Sequence, residues 1–202
     1  MEKEVNHSNY SVSFRELIKN DEHIQKIIEQ NGVLGHGFSG WTNVRKFITP
    51  LIDKDGSFLD IGCGNGFLIR CLEEWSGHCL IPYGIDVNRA CIEACKQMFP
   101  TYAANFRVMK MKGFKKFPSG LTKDFTYVYW AVWDNADLSD RSFASKIELL
   151  LARVKPDGKL LLAFYDLNML GKIESKLSSW PFMIHQRVRG PTHDTVFCIE
   201  KN

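Results

Sequence analysis

The sequence predicts a doubly wound α/β fold, in which a mostly parallel seven-stranded sheet carries helices on both faces. Four short apolar runs end in turns or helix starts, with amphipathic segments between them: "SFLDIG", "IPYGIDV", "FTYVYWAVW" and "KLLLAFYD". Apolar strands that alternate with helices are typical of a parallel sheet covered on both sides. The run "ANFRVMKM" predicts a further strand, and "FMIHQRV" and "TVFCIEK" around the turn "RGPTHD" predict a C-terminal antiparallel hairpin.

The segment before the sheet is predicted to be helical. Apolar residues at helical spacing run from Phe14 to Ile28, and a second helix is predicted from about Trp41 to Ile52. We therefore expect residues 1–55 to form a helical cap that belongs to the same domain as the sheet of residues 56–202.

Composition limits the class of protein. The chain has 202 residues, of which 45% are hydrophobic and 24% charged, as expected for one globular domain. The net charge of +3 is too small to indicate nucleic-acid binding, and the lysines of "KMKGFKK" are interpreted as a solvated face. The six cysteines include no C-x-x-C pair, which favours reduced thiols in a cytoplasmic protein and no metal site. The start of the chain lacks the apolar core of a signal peptide, and the longest apolar run, "LLLAFY", is too short to cross a membrane.

The stretch "FLDIGCGNGF" places a glycine-rich turn directly after the first strand of the sheet. In doubly wound sheets, ligands bind beyond the carboxyl ends of the strands, so this turn is expected to lie at a binding site. A dinucleotide fingerprint, G-x-G-x-x-G, would require a third glycine where Phe67 stands, and the lysine of a phosphate-binding P-loop is absent. Asp60 before the turn suits a ligand with an ammonium and a carboxylate, and Asp86 at the end of the next strand can accept hydrogen bonds from both hydroxyls of a ribose.

Three segments, in this order, carry a resemblance to a known family: "FLDIGCGNG", "GIDVN" and "LARVKPDGKLLLAF". From Phe58 to Phe164 the sequence resembles the class I S-adenosylmethionine-dependent methyltransferases. This resemblance implies S-adenosyl-L-methionine as the cofactor, S-adenosyl-L-homocysteine as its product, and a sheet with a reversed seventh strand.

The resemblance also implies a set of cofactor-binding residues. The glycine turn would bend around the methionine part of the cofactor, with Asp60 near its amino group, Asp86 on the ribose and Val87 on the adenine face. The loop "MKGF" would lie near the adenine edge, although it offers Lys112 where the family often has an acid. The full predicted set is Asp60, Gly62, Cys63, Gly64, Gly66, Asp86, Val87, Gly113, Phe114, Trp130 and Trp41.

The predicted catalytic residues are Trp133, Asp134 and His36. The fourth strand ends in "YWAVWDNAD", so Trp133 and Asp134 are expected to face the transfer site, and Trp130 lies either in the cofactor pocket or in the core. A hydroxyl acceptor needs a general base, for which His36 is a candidate, whereas a neutral amine needs none. The N-P-P-Y signature of amide and base amino methyltransferases is absent.

The glycine-rich segment "LGHGFSGWTN" is predicted to act as a lid over the cofactor. Its glycines allow a hinge, and Phe38 and Trp41 supply apolar surface to bury.

Three functions stay open on the sequence alone. The first is transfer of a methyl group to an oxygen or nitrogen of a small molecule, with no membrane involved. The second is a methyltransferase-like module that modifies or binds a protein or RNA through the "KMKGFKK" face. The third is a nicotinamide-dependent oxidoreductase.

Overall fold

The computed structural model describes residues 10–31, 37–110, 121, 124–132, 141–165, 167–174, 182–191 and 194–200. The α-helices in these ranges are α1 (Val12–Ile18), α2 (Asp21–Glu29), α3 (Gly37–Arg45), α4 (Phe67–Ser76), α5 (Arg89–Met98), α6 (Arg141–Leu151) and α7 (Leu167–Glu174). Two 3₁₀ helices span Lys46–Leu51 and Pro100–Asn105. The strands are β1 (Gly56–Ile61), β2 (Leu80–Asp86), β3 (Phe106–Val108), β4 (Phe125–Val132), β5 (Val154–Phe164), β6 (Ile184–Arg189) and β7 (Thr195–Glu200).

The strands form one seven-stranded sheet in the order β3-β2-β1-β4-β5-β7-β6. β1, β2, β3, β4 and β5 are parallel, and β7 is antiparallel to both β5 and β6. This confirms the predicted mostly parallel sheet with a C-terminal antiparallel hairpin. Because the strand order reverses between β1 and β4, the carboxyl ends of these two strands mark the expected ligand site.

Hydrophobic cores lie on both faces of the sheet. On one face, Phe58 and Tyr129 are covered by the N-terminal helices and α4. On the other face, Leu59, Val128 and Trp130 pack under α6 and α7. Alternate residues of β1 and β4 therefore enter opposite cores, as the apolar runs predict. No helix in the described ranges combines the length and apolar character needed to span a bilayer.

The N-terminal helix predicted from Phe14 to Ile28 is in fact two helices. α1 ends at Ile18, and the side chain of Asn20 accepts a hydrogen bond from the backbone N–H of His23 at 2.9 Å to start α2. A side chain that satisfies an N–H at a helix start favours a new helix at that point. The apolar spacing is nearly continuous across the break, which is why it predicts one helix.

The second predicted helix, from Trp41 to Ile52, also differs from the structure. α3 begins four residues earlier, at Gly37, and gives way after Arg45 to the 3₁₀ helix. Pro50 lies inside this 3₁₀ segment. Proline removes a backbone donor and disfavours the α conformation of the residue before it, so an α-helix is not expected to continue there.

Candidate functional site

The glycine turn at the carboxyl end of β1 depends on left-handed backbone conformations. Gly62, Gly64 and Gly66 have φ values of +80°, +53° and +81°. Side-chain-bearing residues rarely adopt this region, so the turn needs glycine at these positions. A Cβ at Gly62 would meet no described residue within 4 Å, so the described part of the chain leaves space beside this backbone. A ligand can therefore approach this peptide closely.

The backbone donors of the turn are used within the protein. The N–H groups of Gly62 and Cys63 both donate to the carbonyl of Ile85, at 2.8 and 3.1 Å. The N–H of Gly64 donates to Oδ2 of Asp86 at 2.9 Å. A phosphate-binding turn instead directs its N–H groups at the ligand. This geometry favours a ligand without a pyrophosphate at the turn.

Asp60 lies at the end of β1 and is 2% exposed. Its register neighbours are Gly84 on β2 and Tyr129 on β4. Among the described residues, no group donates a hydrogen bond to its carboxylate. Burial, and secondly the nearby charge of Asp86, raise the pKa of Asp60 to about 8, although the guanidinium of Arg45 opposes this shift. A cation placed beside Asp60 would meet no competing hydrogen-bond donor from the part of the chain that the structure describes.

Asp86 ends β2 and is half-buried. Its Oδ2 accepts from the N–H of Gly64, and its Oδ1 accepts from the N–H of Asn88 at 2.8 Å. Each carboxylate oxygen has two acceptor positions, so both oxygens can accept a further hydrogen bond. Val87, the next residue, is 62% exposed and presents an apolar side chain beside this carboxylate.

The end of α2 packs directly on the glycine turn, which the sequence does not predict. Nδ2 of Asn31 donates to Oδ1 of Asn65 at 2.6 Å, and Nδ2 of Asn65 donates to the carbonyl of Ile27 at 2.8 Å. A Cβ at Gly64 would lie 2.3 Å from Oδ1 of Asn31. The middle glycine therefore allows the N-terminal helices to dock beside the site. Because these partners are 34 residues apart in sequence, no local pattern reveals the contact.

Cys63 contributes only its backbone to the open side of the turn. Its side chain is buried in the core, with Sγ 3.7 Å from Sγ of Cys95 on α5. Gly84 makes room for it, since a Cβ there would lie 2.7 Å from the same sulfur atom. The hydrogen bond with the Cys95 thiol, and secondly burial, raise the pKa of Cys63, which keeps the thiol protonated.

Two predicted site tryptophans pack in the cores. Trp41 is 1% exposed, its ring centroid lies 5.5 Å from that of Phe67, and its Nε1 donates to Sγ of Cys71 at 3.3 Å. Trp130 lies under α6, with its ring centroid 5.5 Å from that of Phe143. The part of the predicted lid from Gly37 onward is therefore a helix packed into the domain.

A second group that the sequence does not reveal lies next to Asp60. The guanidinium of Arg45 stacks on the ring of Tyr165, 3.9 Å from its centroid. The hydroxyl of Tyr165, just after β5, is hydrogen-bonded to the hydroxyl of Tyr129 on β4. Burial raises the pKa of both tyrosines, while the charge of Arg45 acts to lower them. The positive charge of Arg45 therefore acts on side chains at the carboxyl ends of β1, β4 and β5.

Several predicted site residues lie outside the described residues: His36, Gly113, Phe114, Trp133 and Asp134. Their roles on the acceptor side and at the adenine edge remain predictions.

No protein-family model and no curated protein sequence matches this chain. Solved structures match it at low identity. The ribosomal protein L11 methylase of Lactobacillus delbrueckii subsp. bulgaricus is 16% identical, covering 77% of this chain and 75% of the other, with a TM-score of 0.55. A TehB-like SAM-dependent methyltransferase of Corynebacterium glutamicum is 16% identical, covering 79% and 88%, with a TM-score of 0.54. The mitomycin 7-O-methyltransferase MmcR is 13% identical, covering 94% and 60%, with a TM-score of 0.56.

These likenesses establish the fold. The chain has the Rossmann-like fold of class I S-adenosylmethionine-dependent methyltransferases, with a seven-stranded mixed sheet, surrounding helices and antiparallel C-terminal strands. The fold predicted from the sequence is therefore confirmed. At this level of identity a shared fold does not imply a shared reaction.

Proposed function

We propose that this protein binds S-adenosylmethionine and transfers its methyl group to an oxygen or nitrogen of a small molecule. The observation that carries the proposal is the geometry at the strand-order reversal. There, a turn of three left-handed glycines lies between a buried carboxylate, Asp60, and a half-exposed one, Asp86.

The residues at this turn fit the cofactor group by group. The Asp60 carboxylate, which has no hydrogen-bond donor among the described residues, suits the ammonium of the methionine part. The open backbone at Gly62 allows close approach of the sulfur-bearing chain. The remaining acceptor positions of Asp86 suit the ribose hydroxyls, and the exposed Val87 suits one face of the adenine. When bound, the cofactor would supply the methyl group as a sulfonium substituent.

The chain's own contribution to such a reaction is alignment and exclusion of water. Holding two reactants in line accounts for about 7–11 kcal/mol of barrier lowering in well-oriented systems. Asp60 and Asp86 would orient the cofactor from its two ends. A hydroxyl acceptor would in addition need a base, for which Asp134 and His36 remain the candidates.

The bonding of the turn supports this cofactor over a nicotinamide dinucleotide. The N–H groups of Gly62, Cys63 and Gly64 are bonded within the protein instead of being directed at an anion. Phe67, where a dinucleotide fingerprint has its third glycine, is fully buried against the N-terminal helices. Both observations argue against a pyrophosphate at this turn.

A macromolecular acceptor is the alternative to a small molecule. By their names, two of the structurally similar proteins act on a ribosomal protein and on a mitomycin. We favour a small molecule because the net charge of +3 is too small to indicate a polyanionic acceptor. A polyanionic acceptor would lose affinity steeply as salt rises, whereas a small neutral acceptor would not.

Calorimetry tests the cofactor proposal. We expect S-adenosylhomocysteine to bind in the micromolar range, about −8 kcal/mol, and NAD not to bind. Asp86→Ala should weaken this binding by about 2–4 kcal/mol, because two charge-assisted hydrogen bonds are lost, and Asp86→Asn should be milder.

Asp55 offers a matched control at the opposite end of the sheet. Its carboxylate also accepts a backbone N–H, that of Cys79, just before β2. Asp55→Ala should therefore leave S-adenosylhomocysteine binding unchanged. Binding of NAD without a response to S-adenosylhomocysteine would refute the proposal, and circular dichroism would establish that each variant is folded.

A further inference from the structure

We propose that Arg45 binds the carboxylate of the methionine part of S-adenosylmethionine, opposite the ammonium site at Asp60. The inference rests on the proposed function and extends it to a residue outside the glycine turn. It assigns a role to a helix, α3, that no sequence motif connects to the site.

The first observation is the state of the Arg45 side chain. It is 9% exposed, yet among the described residues no carboxylate lies within 4 Å of its guanidinium. Its one hydrogen bond to a described residue goes from Nη1 to the carbonyl of Val44 at 3.0 Å. A guanidinium has five N–H donors and keeps its charge in proteins, so most of its bonding capacity is unused. Buried arginines are otherwise usually paired.

The second observation is how the side chain is held. The guanidinium lies 3.9 Å from the ring centroid of Tyr165 and 5.2 Å from that of Trp41. The Tyr165 hydroxyl is in turn fixed by its hydrogen bond to Tyr129. Two aromatic rings therefore hold the planar cation in place without using its N–H groups. Such a fork is preorganised for the two oxygens of a carboxylate.

The third observation is the neighbouring charge. The Arg45 charge acts on the Asp60 carboxylate, but the two groups form no ion pair. Asp60 likewise has no hydrogen-bond donor among the described residues. The buried guanidinium of Arg45 and the buried carboxyl group of Asp60, neither paired with a charged group among the described residues, complement the carboxylate and ammonium of an amino acid. The amino-acid end of the proposed cofactor carries both groups.

The test compares two ligands that differ only in this carboxylate. S-adenosylhomocysteine has both groups, and its decarboxylated analogue keeps the amine alone. We expect the wild-type protein to bind S-adenosylhomocysteine more tightly than the analogue. Arg45→Met should weaken binding of S-adenosylhomocysteine by about 10- to 100-fold and change binding of the analogue by less than about 3-fold. Arg45→Lys should keep part of the preference, since it keeps the charge but not the fork.

Two controls separate this role from a general loss of structure. Arg70 also lies over an aromatic ring, that of Phe14, but is paired with Glu73 and Glu74, so Arg70→Met should leave both affinities unchanged. Asp60→Asn should weaken both ligands alike, because both keep the amine. In the absence of ligand, urea unfolding of Arg45→Met should remain a single cooperative transition, because the variant loses the stacking on Tyr165 and Trp41 but no ion pair to a described residue.

The possible results are distinct. If the wild-type protein binds both ligands equally, or if Arg45→Met weakens both by the same factor, the inference is overturned and the proposed cofactor stands. If the wild-type protein binds neither ligand, the inference and the proposed function both fail. If Arg45→Met does not fold, the partial preference expected of Arg45→Lys decides between these outcomes.

Discussion

At the scale of single residues, Asp60 shows how position changes the chemistry of a side chain. An exposed aspartate ionises near pH 4. Here burial dominates, because removing the carboxylate from water disfavours its charged form. The negative charge of Asp86 adds to this effect, and the positive charge of Arg45 only partly offsets it. The result is a carboxyl group that is protonated near neutral pH until a cation arrives.

This raised pKa predicts a pH dependence of stability. Between about pH 4 and 8 the native protein holds a proton on Asp60 that the unfolded chain has released, so the free energy of unfolding falls as pH rises and levels off above about pH 8. Asp60→Asn removes the ionisable group and with it this pH dependence. At pH 8 the free energy of unfolding of the ligand-free variant should therefore exceed that of the wild type by at least about 1.4 kcal/mol, the equivalent of one pKa unit. Its advantage should shrink toward pH 4.

Urea unfolding at pH 5, 6.5 and 8 measures this difference. Asp55→Asn is the control, because Asp55 is exposed and its pKa is lowered by the N–H of Cys79. A constant stability difference between wild type and Asp60→Asn across the three pH values would contradict the prediction.

At the scale of elements, the glycine turn serves both the ligand side and the packing side. No described residue would contact a Cβ at Gly62, whereas Gly64 faces Asn31 at the end of α2. The same turn therefore positions the site and receives the N-terminal helices. Residues of α1 and α3 extend this contact, because Phe14 and Phe38 pack on Phe67 at the start of α4.

The contact between Gly64 and Asn31 predicts an energetic coupling. Gly64→Ala should destabilise the fold by about 1–2 kcal/mol through its left-handed backbone, with an added clash against Oδ1 of Asn31. Asn31→Ala removes the clashing atom, so the double variant should be more stable than the sum of the single effects by about 0.5 kcal/mol or more.

Urea unfolding of the single and double variants measures this coupling as a double-mutant cycle. Gly62→Ala, combined with Asn31→Ala, provides the comparison cycle. Its φ is also positive, but a Cβ at Gly62 has no atom of the structurally described ranges within 4 Å. Its effect should therefore add to that of Asn31→Ala without coupling. Simple additivity in the Gly64 cycle would show that the N-terminal helices move away from the turn in solution.

At the scale of the whole molecule, the helices before the sheet share one core layer with α4 and α5. Phe58 and Tyr127 of the sheet are fully buried, and Ile28, Ile48 and Leu51 from the N-terminal segment belong to the same cluster. Tyr127 also bonds to this segment, since its hydroxyl accepts the N–H groups of Asp53 and Lys54. The segment is thus bound to the sheet by both apolar and polar contacts.

Deletion of residues 1–55 tests whether cap and sheet are one domain. We expect the fragment 56–202 to show no cooperative unfolding, because the apolar surface that the N-terminal helices cover on one face of the sheet would be exposed to water. The full chain should unfold in a single transition that coincides for tryptophan fluorescence and circular dichroism. A fragment that unfolds cooperatively would show that residues 56–202 fold independently.

The sequence by itself determined the architecture and the position of the glycine turn. The alternation of apolar strands and amphipathic helices predicts the doubly wound sheet from local periodicity. The glycines predict the turn, because a left-handed backbone conformation favours glycine. Asp60 and Asp86 can be predicted as site residues for a related reason, since each lies at the carboxyl end of an apolar strand. These signals all lie within a few residues of the feature they predict.

Only the tertiary structure decided what surrounds that turn. The break between α1 and α2, the burial of Trp41, the contact of Asn31 with Gly64 and the position of Arg45 beside Asp60 arise from packing between distant segments. Among the described residues no carboxylate comes within reach of Arg45, and no local sequence pattern predicts that. The raised pKa of Asp60 likewise depends on burial by the whole domain. The same motif in a protein that left this carboxyl group exposed would not have a raised pKa.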